Sequence, residues 1–430
     1  MNARTPPEVD VRARPATALP TWPMTALFAG LPLWWVTGLL DVVTIPFALV
    51  MAWLLARRST ARVPVGFGWW LLFCVWSGAS VVMLDHASAV VLFGYRWLLA
   101  AAAGVLFVYV FNARTTLTSR YLSGTLTLWF AYVTVGGYLG LLAPTGSLRT
   151  PMQALLPASA SGNELVHQMT VRPFAQYNPN GVLEVSPRPT APFLYTNNWG
   201  SVYALLLPFV VVYLLHTWRT LRGRMVAVLI AASLVPAFLT LNRGMFLSLG
   251  IAAAYLFVRA LLAGRWQVVA LVAAAAVVGV TLFNVLPVSE RLGMRLDENA
   301  SATSNDSRLS LYEQSLSAVA DSPVLGHGAP IEGSDPAEPH VGTQGQLWML
   351  LVSHGPVAAA AWVLFLGSMY ARGRRRPDPI GVASCTTLVV GTVQLLFYGM
   401  LPYGLPLLMV AAAVAARGAE AQDDDWYTRT

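Results

Sequence analysis

Two arginines are prominent in a sequence that is otherwise poor in charge. Arg243 lies in LTLNRGMFLSLG, in the middle of a long apolar stretch, and Arg308 lies in the polar segment SRLSLYEQSLSAVADSPVLGHG. The planar guanidinium of arginine donates two parallel hydrogen bonds, which suits the oxygens of a phosphate or diphosphate. A charge beside hydrocarbon is expensive unless it faces a partner or a water-filled cavity. The pair therefore predicts a site for a doubly charged anion at a membrane surface.

The local pattern around each arginine supports this prediction but leaves a simpler explanation open. Asn242, Arg243 and Gly244 are predicted to form a tight turn between two spans, with Gly244 supplying a backbone conformation that other residues resist. The simpler explanation is that Arg243 extends to lipid headgroups.

Arg308 is predicted to open an amphipathic helix over 307–321, because Leu309, Tyr312, Leu316 and Val319 recur at helical spacing. The N-cap would be Asn305, Asp306 or Ser307, and Ser322-Pro323 would end the helix. The first turn of a helix already favours an anion, so a cation there suits an anion from elsewhere. A salt bridge to Asp306 or Glu313 is the alternative.

Composition places these residues in an integral membrane protein. The chain has 430 residues, of which 56% are hydrophobic and only 11% charged, far below the charge content of an ordinary soluble domain. Stretches of about 20 apolar residues predict transmembrane helices. We expect an all-α polytopic protein with about 12 such helices, at 24–40, 42–56, 66–84, 88–111, 121–143, 193–215, 225–241, 245–262, 267–286, 343–369, 380–400 and 402–416.

The distribution of arginine predicts the orientation of these spans. All 27 basic residues are arginines, and most of them fall on one side of the twelve-helix scheme, for example Arg57, Arg58 and Arg62. Cytoplasmic loops retain positive charge, so that side is predicted to be the cytoplasm. The net charge of +7 is then explained by the membrane topology, and nucleic acid is not an expected partner.

Two loops are too long to be turns, and both fall on the predicted extracytoplasmic side. The first is rich in proline, which favours an irregular, extended cover. The second carries most of the polar residues. The predicted organisation is a cytoplasmic tail at 1–23, helices 1–5 at 24–143, a loop at 144–192, helices 6–9 at 193–286, the large loop at 287–342, helices 10–12 at 343–416 and a cytoplasmic tail at 417–430.

The order of three motifs in this scheme resembles the O-antigen ligase and O-antigen polymerase superfamily. The motifs are the NRG turn, the helix SRLSLYEQSLSAVADSPVLGHG and the span entry GTQGQLWMLLVSHGPVAAAAWVLFL; PFLYTNNWGSVYALLLPF also resembles a segment of that family. The resemblance covers roughly 190–370. It implies a GT-C-like membrane glycosyltransferase that needs neither metal nor cofactor. Its partners would be a polyprenyl-diphosphate-linked glycan donor, a glycan or lipid-glycan acceptor, membrane lipids and, as a further possibility, envelope polysaccharide assembly proteins.

The resemblance also assigns roles to residues. Arg243 and Arg308 match the two arginines that bind the diphosphate in the family, outside the cytoplasmic membrane. The histidine of the family falls on Gln344, which cannot take a proton, while His340 lies four residues upstream. Either His340 reaches the same point, because Gly342 and Gly345 re-form the loop, or no side chain acts as base.

Several other polar residues are candidates for substrate binding, and each has a structural alternative. His327 could donate to a glycan hydroxyl or lie in a simple glycine turn. Asn197 and Asn198 could bind sugar, but a helix cap is the favoured interpretation. Arg96 lies about two turns inside a predicted span, where a charge is functional by default, unless it extends outward. Asn242 is the last candidate for substrate binding.

Two other classes of function compete with a glycosyltransferase. A twelve-helix secondary transporter would carry charges along a path near the membrane centre, where this sequence has few apart from Arg96. A non-catalytic component of an envelope polysaccharide assembly machine is the other alternative, because the family's histidine is missing. No EF-hand, zinc or phosphate-binding-loop pattern occurs.

Overall fold

The protein is described by a computed structural model over residues 18–58, 60–86, 89–155, 164–176, 187–285, 304–333 and 340–418. Most of both predicted tails lies outside these ranges. The described chain is mostly helical, with a few short strands.

The helices and strands follow one another in a simple order. The first half contains α1 (Trp22–Ala29), α2 (Leu31–Thr37), α3 (Thr44–Ala56), α4 (Phe67–Ala79), α5 (Ala89–Asn112), α6 (Ser119–Leu142), β1 (Ser147–Arg149), α7 (Pro151–Leu155), α8 (Glu164–Thr170), β2 (Val171–Pro173), β3 (Ala175–Gln176) and β4 (Arg188–Pro189). The second half contains α9 (Thr196–Thr217), α10 (Leu221–Leu239), α11 (Arg243–Leu262), α12 (Trp266–Val285), α13 (Ser304–Asp321), α14 (Gln346–Gly373), α15 (Pro379–Gln394) and α16 (Gly404–Ala416).

Every predicted span contains an apolar helix, but the helices differ in length. Within the described ranges, six are long and apolar enough to cross a membrane, namely α5, α6, α9, α10, α11 and α14. Of the helices at the other predicted spans, α12 has 20 residues and the rest are shorter. The span predicted at 24–40 is divided into α1 and α2. The division has a local cause, because Pro32 has no N–H to donate to Phe28 and Gly30 precedes it.

The last helix is the centre of the bundle. Every residue of α16 from Gly404 to Ala416 is buried, and the helix packs against α5, α9, α14 and α15. A helix that is apolar on all sides belongs in a core. The span predicted at 380–400 ends at Gln394, and residues 395–403, with Gly399 and Pro402, form an irregular turn before α16.

Side chains on the predicted cytoplasmic side hold the ends of the helices together. Arg58 donates to the carbonyl oxygen of Asn112 at 3.3 Å, and Arg376 donates to that of Val414 at 2.7 Å. Arg417 donates to the carbonyl oxygen of Leu117 at 2.8 Å. These arginines therefore cap carbonyl groups as well as carrying the charge that predicts orientation.

The opposite face carries the loops. The strands of the 144–192 loop form two short antiparallel pairs, β1 with β2 and β3 with β4, as an extended cover predicts. Arg172 in β2 forms a buried ion pair with Asp41, between α2 and α3, and the Tyr403 hydroxyl donates to the same carboxylate. The surface on this side contains the starts of α9, α11 and α14 and the turn 395–403, and we call it the loop face.

Candidate active site

The turn between α10 and α11 presents Arg243 as the first residue of a helix. Asn242 is the N-cap, and its side-chain oxygen accepts from the Met245 N–H at 3.3 Å. The left-handed residue of the turn is Leu241, with φ of 49°. The prediction that Gly244 supplies the unusual conformation is therefore wrong. Gly244 lies within the helix, where a Cβ would approach the Tyr398 hydroxyl to 2.5 Å.

Asn242 is buried and fixes this turn to two other elements. Its amide nitrogen donates to the carbonyl oxygen of Thr196, at the start of α9, at 3.0 Å. Its side-chain oxygen accepts from the Tyr398 hydroxyl in the turn 395–403. These contacts give Asn242 a positioning function, because they hold the neighbouring Arg243 on a rigid base. Direct contact between Asn242 and a substrate stays a prediction.

Two buried glutamines extend the same framework. The Gln346 N–H donates to the carbonyl oxygen of Tyr398 at 2.8 Å, and its side-chain oxygen accepts from the Met400 N–H at 3.0 Å. The side chain of Gln394 accepts from Ser201 at 2.9 Å and donates to Ser248 at 3.0 Å. Satisfied buried networks of this kind specify one arrangement, so α9, α11, α14 and α15 meet in a fixed geometry.

The guanidinium of Arg243 is exposed on the loop face. Among the residues that the structure describes, no carboxylate forms an ion pair with it. The start of α11 adds the positive end of a helix dipole at the same point. This end of the helix therefore favours an anionic ligand.

A further arginine lies close to this turn, and sequence reasoning missed it. Arg188 in β4 donates from Nε to the carbonyl oxygen of Thr240, three residues before Arg243, at 2.7 Å. The interaction brings a second guanidinium to the end of α10. Its signal in the sequence was weak, because Arg188 lies among the prolines of the 144–192 loop.

The helix that carries Arg308 begins earlier than predicted. It starts at Ser304, so Asn305, Asp306 and Ser307 lie inside its first turn and do not precede it. Small polar residues are tolerated there because the first N–H groups are free. Arg308 is then the fifth residue, just beyond the first turn. Its side chain lies outside the described part of the chain, whereas the end of the helix at Asp321 confirms the predicted stop.

The buried face of α13 is also different from the predicted one. Leu311, Ser315 and Ala318 are buried, whereas Leu316 is 59% exposed. Small side chains at Ser315 and Ala318 allow α13 to lie close against α14. Tyr312 packs on Trp348 of α14, with the ring centroids 4.7 Å apart.

His327 holds the segment after α13 in place. Its Nε2 bonds to the carbonyl oxygen of Ala318 at 2.9 Å, and its backbone N–H donates to that of Val352 at 2.8 Å. Gly326 and Gly328 both adopt positive φ, as a glycine turn requires. The geometry favours the structural alternative for His327, and its contact with a glycan stays a prediction.

His340 and Gln344 lie on the short segment that leads into α14. His340 is exposed, and its carbonyl oxygen accepts from the Thr343 hydroxyl at 2.6 Å. The side-chain oxygen of Gln344 accepts from the Gly342 N–H at 3.1 Å. The Gln344 amide nitrogen is buried with no hydrogen-bond partner among the described residues. Gly342 has φ of 91°, which bends the segment between the two residues.

Asn197 and Asn198 occupy the first turn of α9. The N-cap of this helix is Tyr195, without a side-chain cap, so the prediction that one of the asparagines caps the helix is wrong. Asn197 is exposed and Asn198 half-buried. Arg96 is the eighth residue of α5, two turns below the start of the helix, as predicted.

These features define a class: a mostly helical membrane protein that presents arginine where helices begin on one face. Residues 229–350 match the family model described as O-antigen ligase. The match confirms the resemblance seen in the sequence, and it includes Asn242, Arg243, Arg308, His327, His340 and Gln344. A search of curated proteins finds no match.

Proposed function

We propose that the protein is a glycosyltransferase of the cytoplasmic membrane that acts at its outer face. The donor is a glycan linked through a diphosphate to a polyprenol, and the acceptor is a sugar hydroxyl, as in a polysaccharide ligase or polymerase. The main support is the position of Arg243: an exposed cation on a rigid turn at a helix start, inside the segment that matches the O-antigen ligase family.

The chemistry follows from the charge that develops during transfer. The bond between the sugar's anomeric carbon and the diphosphate oxygen breaks, a bond to the acceptor oxygen forms, and the acceptor hydroxyl loses its proton. Arg243 and Arg308 would neutralise the negative charge that grows on the departing diphosphate, and Arg188 would add to the positive potential. Donors placed where charge develops lower the barrier most.

The fate of the acceptor proton depends on two neighbouring residues. His340 is exposed and can take a proton. Gln344 can only donate or accept a hydrogen bond, and its buried amide nitrogen suits an oxygen of the diphosphate or acceptor. We assign Gln344 to orientation and His340 to proton transfer.

Transfer should continue after divalent metals are removed. In this mechanism the arginines provide the positive charge that a metal provides in other transferases. We expect the rate in detergent with excess EDTA to equal the rate with Mg²⁺ or Mn²⁺. Activity that disappears on chelation and returns with one metal would contradict the arginine mechanism.

A secondary transporter is the second candidate, because one feature of the structure suits it. Helix α14 is broken at Gly355, which has φ of 77°, and broken helices bind substrates in many transporters. A transporter or a non-catalytic assembly component would not need Arg243 and Arg308 for a diphosphate. The two arginines therefore distinguish the candidates.

Binding of undecaprenyl diphosphate to the purified protein in nanodiscs tests the proposal. We expect saturable binding that Arg243→Ala and Arg308→Ala each weaken at least tenfold, since each removes a charge-assisted pair worth more than about 1.4 kcal/mol. Arg222→Ala is the matched control, because Arg222 is an exposed arginine at the other end of α10. Binding that is indifferent to both loop-face arginines would favour the transporter or assembly component.

A further inference from the structure

The break in α14 leaves backbone groups that another segment satisfies. Pro356 has no N–H, so the carbonyl oxygen of Val352 cannot receive the usual helical bond. It accepts from the His327 N–H at 2.8 Å instead, and the carbonyl oxygen of Ser353 accepts from the Gly328 N–H at 2.8 Å. The segment after α13 is thus inserted against the break, and α14 continues beyond it as a second half-helix starting at Pro356.

A small cavity lies along the first half of α14, from Gln346 at the start of the helix to Ser353 and His354 at the break. Its polar lining includes Ser77, Arg96, Gln346, Ser353 and His354. Its volume of about 30 Å³ holds one or two waters or a group of similar size, but no sugar ring. Irregular backbone at membrane depth is tolerated mainly where it lines such a space.

Two of these side chains have hydrogen-bonding capacity that the protein leaves unused. Ser353 is 2% exposed, and its hydroxyl has no partner among the described residues. His354 uses Nδ1 for the Ser80 hydroxyl, at 2.7 Å, and Nε2 is left for another group. A buried hydroxyl without a partner is unfavourable, which points to a ligand that accepts a hydrogen bond from it.

The charge in the cavity is positive. Arg96 contributes a guanidinium, and no carboxylate lines the cavity in the described part of the chain. Asp41 on the same face is already paired with Arg172. The second half of α14 begins beside the cavity, and a helix start is positive. A charge at membrane depth without a counter-ion is costly, so this cavity favours an anionic ligand.

We propose that this cavity is a second binding site, separate from the diphosphate site, which takes a small anionic group of carboxylate size. Arg96 donates two hydrogen bonds to its oxygens, and Ser353 donates a third. An acidic sugar of the glycan, whose carboxylate would enter while its ring stays outside the cavity, and a phospholipid headgroup are two sources of such a group. Only the assignment to an acidic sugar rests on the proposed function, and that sugar would make the enzyme selective for acidic glycans.

Calorimetric titration with glucuronate, with glucose as the neutral match, tests the site in phosphatidylcholine nanodiscs. We expect glucuronate alone to bind. Arg96→Gln should abolish binding, Ser353→Ala should weaken it roughly tenfold, and Arg243→Gln should leave it unchanged. Because Ser353→Ala removes only an unpaired hydroxyl, that variant should unfold at the same temperature as the wild type or higher, which separates loss of binding from loss of fold.

The remaining outcomes either support or overturn the site. Competition by phosphatidylglycerol in the nanodisc would support the anion site and assign it to a lipid headgroup. Equal binding of glucose and glucuronate, absence of any binding, or binding that survives Arg96→Gln would overturn it. Failure of the diphosphate experiment alone would leave this result untouched, because the two tests use different arginines.

Discussion

Replacing Arg243 with alanine should lower the rate of glycan transfer by about 10²–10³-fold, the usual cost of removing one preorganised donor to a developing charge. The reason is geometric. The Asn242 network holds the start of α11 in place through Thr196 and Tyr398, so neither water nor a neighbouring side chain replaces the guanidinium in the same position. Because Arg243 itself is exposed, its loss should leave the melting temperature in detergent unchanged. The measurement is transfer of a radiolabelled lipid-linked glycan by purified protein.

Three variants make this result specific. Arg308→Ala should abolish measurable transfer, whereas Gln344→Ala should have a smaller effect because it removes only a neutral donor. Arg222→Ala, on the opposite end of α10, should retain full activity. Full activity in either the Arg243 or the Arg308 variant would remove the basis for the diphosphate site.

The sequence predicts the helices well because one physical requirement governs them. A segment buried in lipid or in the bundle must be apolar over its length, and each predicted span indeed contains a helix. The divisions and ends depend on single residues. Pro32 divides the first span, and Gly399 and Pro402 lie in the non-helical turn before α16. A hydropathy profile averages over many residues, so it shows neither interruption.

The candidate site is predicted less completely, because its geometry depends on contacts between distant residues. Arg243 was visible as an isolated charge. Tyr398 was hidden inside a predicted span, although its hydroxyl fixes Asn242. Arg188 has only a weak local signal in the sequence, and the structure places it against Thr240. The predicted face of α13 is wrong because apolar spacing favours Leu316, whereas close packing against α14 buries the smaller Ser315.

The break in α14 shows the same dependence. Pro356 signals it in the sequence, but a proline inside a span is common when neighbouring groups satisfy the freed carbonyl. The groups that do so, His327 and Gly328, belong to a loop that hydropathy assigns outside the membrane. Only the structure connects the GHG turn, the break and Arg96.

The second large effect concerns the fold, at the ion pair that fastens the 144–192 loop to the bundle. Asp41→Ala should destabilise the protein by about 3–5 kcal/mol, the cost of leaving one member of a buried pair uncompensated. The side chains of Arg172 and Asp41 are 0% and 1% exposed, and Tyr403 would lose its acceptor as well. Burial lowers the pKa of Arg172, and in the wild type the Asp41 carboxylate more than offsets this and raises that pKa above its ordinary value. Without Asp41 the guanidinium keeps the cost of burial and loses its counter-ion.

Asp378→Ala is the matched control for this prediction. Asp378 also pairs with an arginine, Arg376, at 2.6 Å, but Asp378 is 19% exposed. Arg376 is 5% exposed, but without Asp378 it keeps its bond to the carbonyl oxygen of Val414. Asp378 caps α15 through the Gly381 N–H at 3.1 Å, so its loss should cost about 1 kcal/mol. Apparent melting temperatures in one detergent compare the two variants.

A double replacement separates loss of charge balance from loss of packing. Asp41→Leu combined with Arg172→Met removes both charges and keeps apolar volume, and such replacements of buried pairs are often neutral or stabilising. We therefore expect the double variant to melt well above Asp41→Ala. If Asp41→Ala and the double variant have the same apparent melting temperature, the ion pair is not what fastens the loop. If Asp41→Ala and Asp378→Ala have the same apparent melting temperature, burial adds nothing to the stability that the Asp41–Arg172 pair provides. The predicted order follows because removing one charge leaves the other buried without a counter-ion. Removing both leaves no buried charge.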